Sequence, residues 1–172
     1  MPSRSKSQAV HVLVVGDVAT GKSALVETFV TSTFPQYSFQ SAYNTWNHTL
    51  DVDGRRVKLS IWDAGSALAP ELRVLSYPGK HVVLFCYDST RESTLVNVLE
   101  HWMPEVFHQL PDTPYLLVAI RTLSARYDCV RAHPVVECSA LTSAGVRNVF
   151  EQAARLGGDQ VKLQTRAGYY LR

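Results

Sequence analysis

Cysteine is scarce in this chain of 172 residues: there are three, Cys86, Cys129 and Cys138, and no CxxC pair among them. An odd, unpaired set of this kind points to reduced thiols in the cytosol rather than to a disulfide framework. Charge of one sign is lacking too. Seventeen Lys and Arg against fifteen Asp and Glu leave +2, so no charge field points to nucleic acid or to an acidic partner. No apolar run approaches transmembrane length, and nothing ahead of the first apolar stretch reads as a signal peptide. Met1-Pro2 excludes N-myristoylation, which needs glycine second, and the terminal GYYLR carries no cysteine for prenylation. Internal repeats and low-complexity segments are also missing. The expectation is one ordinary globular domain without a lipid anchor of its own. Residues 1–9 read as a disordered, mildly basic lead, 10–158 as the domain and 159–172 as a tail.

What is present begins at residues 11–30, HVLVVGDVATGKSALVETFV. An apolar run, Val12 to Val15, meets the loop G-x-x-x-x-G-K-S from Gly16 to Ser23, and the loop runs into a helical pattern. This is the Walker A pattern in its required strand–loop–helix context. Glycines let the backbone wrap tightly, so that successive N–H groups from Gly16, Asp17, Val18, Ala19, Thr20, Gly21 and onward to Ala24 can converge on phosphate oxygens. Lys22 supplies a point charge for the terminal phosphates, and the Ser23 hydroxyl a ligand for Mg²⁺. Two glycines, a lysine and a Ser or Thr at this spacing arise by chance in roughly one such chain in a hundred.

Downstream, Lys22 to about Thr31 reads as a helix with Ala24, Leu25, Phe29 and Thr28 inward. Residues 32–46 have no periodicity and read as a long loop. Asn47–Val52 and Arg55–Trp62 alternate about Asp53-Gly54, the signal of a type I′ hairpin. Residues 66–79 are irregular, with a short helix opened by Pro70-Glu71. His81 to Tyr87 is a buried strand. From Glu92 to Gln109 the pattern is helical, with Leu95, Val98, Leu99, Trp102, Val106 and Leu110 near one face and a kink or a restart expected at Pro104. Pro114–Ile120 and Val135–Cys138 are strands, and Thr142–Leu156 is a closing helix with Val146, Val149, Phe150 and Ala153 inward. Strands alternating with helices predict a mostly parallel α/β sheet covered on both faces, with ligand at the C-terminal strand ends. His101 and His108 read as a solvated helix face rather than a metal site, and Cys86 as core.

Beyond the loop, Trp62-Asp63, LSYP at 75–78, WMPEV at 102–106 with PDTP at 111–114, and ECSALT at 137–142 resemble the Rho family of Ras-superfamily small G proteins, in order and at nearly the family's spacing. The resemblance covers residues 11–157 and implies a P-loop small G-protein domain. Its sheet would have six strands, mostly parallel with one antiparallel hairpin strand, and about five helices would cover it. It also implies roles for matching residues. Gly16, Gly21, Lys22 and Ser23 match the phosphate loop. Phe34 matches the aromatic at the guanine edge, and Ser41 the threonine that touches Mg²⁺ and the γ-phosphate. Asp63 matches the acid that holds Mg²⁺ through water. Gly65 stands for the glycine whose N–H meets the γ-phosphate, displaced relative to Asp63, and Ser139, Ala140 and Leu141 match the loop that reads the guanine carbonyl. The implied cofactors are Mg²⁺ and GTP or GDP, with Ser23 and Ser41 as metal ligands.

The departures bear on activity. Val18 replaces a loop glycine and would crowd the γ-phosphate and the entry of an arginine finger. After Asp63 the family reads T-A-G-Q-E, whereas Ala64-Gly65-Ser66-Ala67 is one residue short. Ser66 stands at the position of the water-orienting glutamine and is too short to replace it, so no catalytic residue is assigned. Where the family carries T-K-x-D, the chain has Ile120, Arg121, Thr122 and Leu123. Leucine offers no acceptor for the guanine N–H groups; Arg121 keeps a side chain able to stack on a base. Asp128 is near in sequence but is expected beyond the pocket. Eleven residues, 124–134, leave no room for the Rho insert helix and reduce the fourth helix to a turn or two.

The leading expectation is a Rho-like GTP-binding switch that hydrolyses GTP poorly or not at all. The alternatives are a nucleotide-free pseudo-GTPase scaffold and an active GTPase. The resemblance implies effectors or regulators engaged through residues 32–46 and 64–79, signal transduction to the actin cytoskeleton, and a monomer in the cytoplasm. Recruitment to the inner face of the plasma membrane would be indirect.

Overall fold

The computed structural model describes residues 9–36, 43–64, 68–121, 133 and 135–170. Six strands form one sheet in the order β2-β3-β1-β4-β5-β6. They are β1 (Val10–Val15), β2 (Tyr43–Val52), β3 (Arg55–Ala64), β4 (Val82–Asp88), β5 (Tyr115–Ile120) and β6 (Val135–Cys138). The pair β2–β3 is antiparallel and every other pair is parallel. The hairpin turns at Asp53 (φ 50°) and Gly54 (φ 73°), both left-handed as a type I′ turn requires.

Strand alternation divides the core into two layers. Val10, Val12 and Val14 of β1, Val82, Leu84 and Cys86 of β4, and Leu116, Val118 and Ile120 of β5 face one side. There they meet α1 (Lys22–Thr31) and α5 (Val146–Tyr170), whose Phe29 and Phe150 rings stack at 3.9 Å. Leu13, Val15, Val83, Phe85, Tyr87, Leu117 and Ala119 face the other side, against α3 (Glu92–Asn97), a π-helical turn (Val98–Trp102) and α4 (Met103–Gln109). Because both faces of β1, β4 and β5 are covered, these strands are apolar apart from His11 and Asp88 near their ends, which is why they do not alternate in sequence.

Four details differ from expectation. Strand β2 opens at Tyr43, so Tyr43–Trp46 pair with β3 instead of belonging to the loop read over 32–46. In α1 it is Val26 that enters the core beside Leu25 and Phe29, while Ala24 is half-buried. The 92–109 helix meets Pro104 by widening: the Met103 N–H reaches back five residues to the Val98 carbonyl, and α-geometry resumes after it. The missing proline N–H is thus absorbed by a π-turn rather than by a break. Finally, α5 starts at Val146, after turns with positive φ at Ser143 and Gly145, and runs to Tyr170 through Gly157 and Gly158. The closing helix, read over Thr142–Leu156, therefore starts four residues later and continues through 159–170. The short helix α2 (Pro70–Arg73) opens on a proline as expected and passes into a 3₁₀ turn at Val74–Ser76. Most of the 124–134 segment, on which the reading of the insert and fourth helix rests, lies outside the described residues. Among the described residues no helix is long and apolar enough to cross a membrane.

Candidate functional site

The loop between β1 and α1 is shaped by what cannot fit there. A Cβ on Gly16 (φ 149°) would stand 2.2 Å from the Cys86 carbonyl oxygen, so the loop leaves β1 by passing directly over β4. Gly21 (φ 92°) starts α1 without a side-chain cap, with the end of β5 close by at Ile120. Ala19 is left-handed as well (φ 59°). Left-handed turns leading into a helix N-terminus are the backbone setting in which successive N–H groups bind phosphate.

Lys22 lies across the loop, 6% exposed, and its Nζ donates to the Asp17 carbonyl at 3.0 Å. The buried Thr20 hydroxyl donates to the same oxygen at 3.0 Å. Burial lowers the Lys22 pKa, and Asp63, Cys86 and Asp17 oppose that shift. Asp63, at the end of β3, is 2% exposed and accepts a hydrogen bond from the Ser23 side chain. Its Oδ1 meets no donor among the described residues. Burial raises the Asp63 pKa, against the pull of Ser23 and Lys22. A buried carboxylate oxygen without a partner, beside a hydroxyl and a lysine, is an incomplete site of the kind a hard divalent cation with phosphate completes. The residues present therefore fit Mg²⁺ and a phosphate chain.

Further supports come from α3 and the π-turn, and the sequence reading missed them. The Asp17 carboxylate accepts from Asn97 Nδ2 at 2.7 Å and from Trp102 Nε1 at 2.8 Å. Arg91 donates to the Ala19 carbonyl at 2.9 Å. Asp88, at the end of β4, is wholly buried and accepts from the Thr90 N–H and hydroxyl, Arg91 Nε and Arg121 Nη1. Burial opposes its ionisation, but these donors and cations outweigh burial and hold its pKa below the usual value. An acidic residue closing an apolar strand just before Ser-Thr was the available signal, since such residues bond the following backbone.

The base-side residues are more scattered. The Arg121 guanidinium is paired with Asp88 at 3.2 Å, and the Arg121 backbone N–H donates to the Cys138 carbonyl. The Ser139 N–H donates to the Ala144 carbonyl; Ala140 is buried and the Leu141 side chain is exposed. Phe34 and Val18 are both exposed, Phe34 beyond α1 and Val18 in the phosphate loop. Ser41, Gly65, Ser66, Thr122, Leu123 and Asp128 lie outside the described residues.

A second polar cluster joins α2 to α4. Arg73 donates to both Glu105 oxygens (2.6 and 3.0 Å), to Tyr77 Oη (3.2 Å) and to the Leu68 carbonyl (3.2 Å), and its guanidinium lies 4.5 Å from the Trp102 ring centroid. Tyr77 donates in turn to Glu105. Outside this anchor, Leu72 and Leu75 project into solvent, Leu75 at 74% exposure.

Comparison with known proteins agrees with this geometry. The Ras family model matches residues 11–157. Rho-related GTP-binding protein RhoB of Homo sapiens is 36% identical over 169 residues, 84% of this chain and 86% of the relative. GTP-binding protein rho1 of Schizosaccharomyces pombe is 36% identical over 169 residues, 84% of each chain. Rho-related GTP-binding protein RhoH of Bos taurus is 33% identical over 180 residues, 94% of each chain. With the phosphate-loop architecture matched over this length, the chain belongs to the Rho family of Ras-superfamily small GTPases.

Proposed function

We propose that the protein is a GTP-binding switch that retains Mg²⁺-dependent phosphate binding and has lost efficient hydrolysis. The observation that carries the binding half is the buried Asp63 Oδ1 without a donor, next to Ser23 and Lys22. Bound Mg²⁺ supplies charge neutralisation between the terminal phosphates. The loop amides cradle the phosphate chain, Lys22 turns its ammonium from the Asp17 carbonyl toward it, and Asp63 orients the metal's water shell. The hydrolysis half rests on sequence. Val18 adds an isopropyl group where the family has glycine, and the run after Asp63 is short by one residue and carries Ser66 in place of glutamine. Neither change leaves a group able to orient an attacking water. Guanine preference should be weak as well, because Leu123 offers no carboxylate.

The exposed Leu72 and Leu75 favour residues 64–79 as a partner surface, together with 32–46. Signalling to the actin cytoskeleton follows from family analogy alone. A nucleotide-free scaffold is the second reading; the internal satisfaction of Lys22 by Asp17 favours it, since the loop is partly closed on itself.

The test is to denature the purified protein and resolve the released nucleotide by anion exchange. About one GTP per chain is the expected result. Mostly GDP would overturn the hydrolysis half, and a protein that stays empty in excess Mg²⁺–GTP would overturn the binding half in favour of the scaffold.

A further inference from the structure

Trp102 touches two functional segments with different parts of one ring. Its Nε1–H donates to the Asp17 carboxylate in the phosphate loop at 2.8 Å. Its face carries the Arg73 guanidinium of α2 at 4.5 Å. The indole is 7% exposed, so both contacts are made away from solvent, where a hydrogen bond to a carboxylate and a cation over a ring are stronger than at the surface.

Backbone geometry makes this arrangement possible. Asn97 and Trp102 both bond the Asp17 carboxylate although they are five residues apart. In a regular α-helix five residues turn the chain by 500°, leaving the two side chains about 140° apart. The π-turn at Val98–Trp102 needs more residues per turn and brings them toward one face. The same turn precedes Pro104 and Glu105, and Glu105 holds Arg73 in a two-bond pair. One irregular turn thus serves both segments.

We propose that Trp102 is a positioning residue through which the seating of α2 and the order of the 16–23 loop depend on each other. The chain of contacts runs from Lys22 Nζ to the Asp17 carbonyl, from the Asp17 carboxylate to the indole N–H, and from the indole face to Arg73. Lys22 is the group a phosphate recruits, and its departure removes one of the donors that fix the Asp17 backbone. In the other direction, a partner that lifts Arg73 off the ring frees the indole that holds Asp17. This route bypasses residues 65–67, the segment in which the chain departs from its family. Its use as a nucleotide relay rests on the GTP-binding reading; the mechanical link itself does not.

The test measures hydrogen exchange at the 16–23 amides in four forms of the full chain: wild type, Arg73→Gln, Trp102→Phe and the double variant. Phenylalanine keeps an aromatic face for Arg73 and removes the single donor to Asp17. All four are first matched by thermal melting, and Arg73→Lys, which loses the two-bond fork but keeps the charge, substitutes if Arg73→Gln does not fold. In the protein without added nucleotide, Arg73→Gln is expected to raise exchange at 16–23 by about 2–30-fold, the range of contact-mediated coupling. In the Trp102→Phe background it is expected to add nothing. Exchange changes confined to 68–77, or an equal increment in both backgrounds, would overturn the link, because a purely structural role gives additive effects. A parallel measurement of dissociation of a fluorescent GTP analogue separates the two claims. Coupled exchange with no analogue binding removes the nucleotide reading and leaves the link standing.

Discussion

At Asp63 the fold leaves a carboxylate oxygen buried and unmatched, while burial raises the pKa of the group. Ionising it at neutral pH costs stability that a cation can return. Mg²⁺ added with GTP should therefore raise the melting temperature above that with GTP alone, by the linkage between binding and folding. In Asp63→Asn, which keeps the shape and an acceptor for Ser23 but not the charge, most of that increment should vanish. An equal Mg²⁺ increment in both proteins would remove Asp63 from the metal site. Leu123 offers the converse experiment, a gain. Leu123→Asp restores a charged acceptor for two guanine N–H groups, a contact worth about 1.5–3 kcal/mol. Affinity for a fluorescent GTP analogue should rise about 10–150-fold, with little change for the ATP analogue. If both analogues respond alike, the base is not read from that position. Asp63 was legible in sequence because Trp62-Asp63 matches a family motif, and the structure sets it beside Ser23; Leu123 lies outside the described residues. Asp17, Asn97 and Trp102 were not legible. Nothing in a one-dimensional pattern pairs an aspartate with groups 80 and 85 residues away.

Among the elements, α5 carries two adjacent glycines with opposite duties. A Cβ on Gly157 would lie 2.3 Å from Val10 Cγ1 and 3.2 Å from Val82 Cγ1, so the helix rests against β1 and β4 through that position. A Cβ on Gly158 would meet nothing within 4 Å. Gly158→Ala should stabilise by about 0.5–1 kcal/mol through helix propensity. Gly157→Ala gains the same propensity but must displace two core valines, a strain of about 1–3 kcal/mol, and should destabilise on balance. Chemical denaturation of the two variants decides it; stabilisation by both would mean that the sheet gives way freely beneath α5. This glycine pair also explains why the helix end was misread from sequence. Two glycines after Leu156 resemble a stop signal, whereas here one supplies close approach and the other is tolerated. Strands β1, β4 and β5 were legible as buried apolar runs and the β2–β3 pair by its alternation about Asp53-Gly54, but the first four residues of β2 were read as loop. The π-turn was not legible, since a proline inside a helical pattern announces a disturbance without specifying its form.

For the whole molecule, the chemistry sits at the C-terminal ends of β1, β3 and β4, while the opposite end of the sheet carries a different charge arrangement. There the His11 N–H donates to His81 Nδ1 at 2.9 Å, and the His81 N–H donates to the His11 carbonyl. Lys80 stands close, its ammonium 3.9 Å from the centre of the Trp62 ring. Burial lowers the His81 pKa, with His11 and Lys80 adding to the shift and Gln164 of α5 opposing it; burial and Lys80 lower that of His11. Both imidazoles are thus harder to protonate in the folded chain than in the unfolded one, whose ordinary value is 6.5. The unfolded state then binds more protons as pH falls through that value, so this contribution is fully present above 6.5 and is lost below it. Asp63 acts in the opposite sense, because its raised pKa favours the folded state at lower pH, and a comparison of variants is needed to separate the two. Melting temperature should fall between about pH 7.5 and about pH 5.5. His81→Asn can keep an acceptor for the His11 N–H and has no proton to gain, so it should flatten the profile. If the wild type is already flat, or if His81→Asn melts with the same slope, the histidine pair does not set the acid limit of the fold.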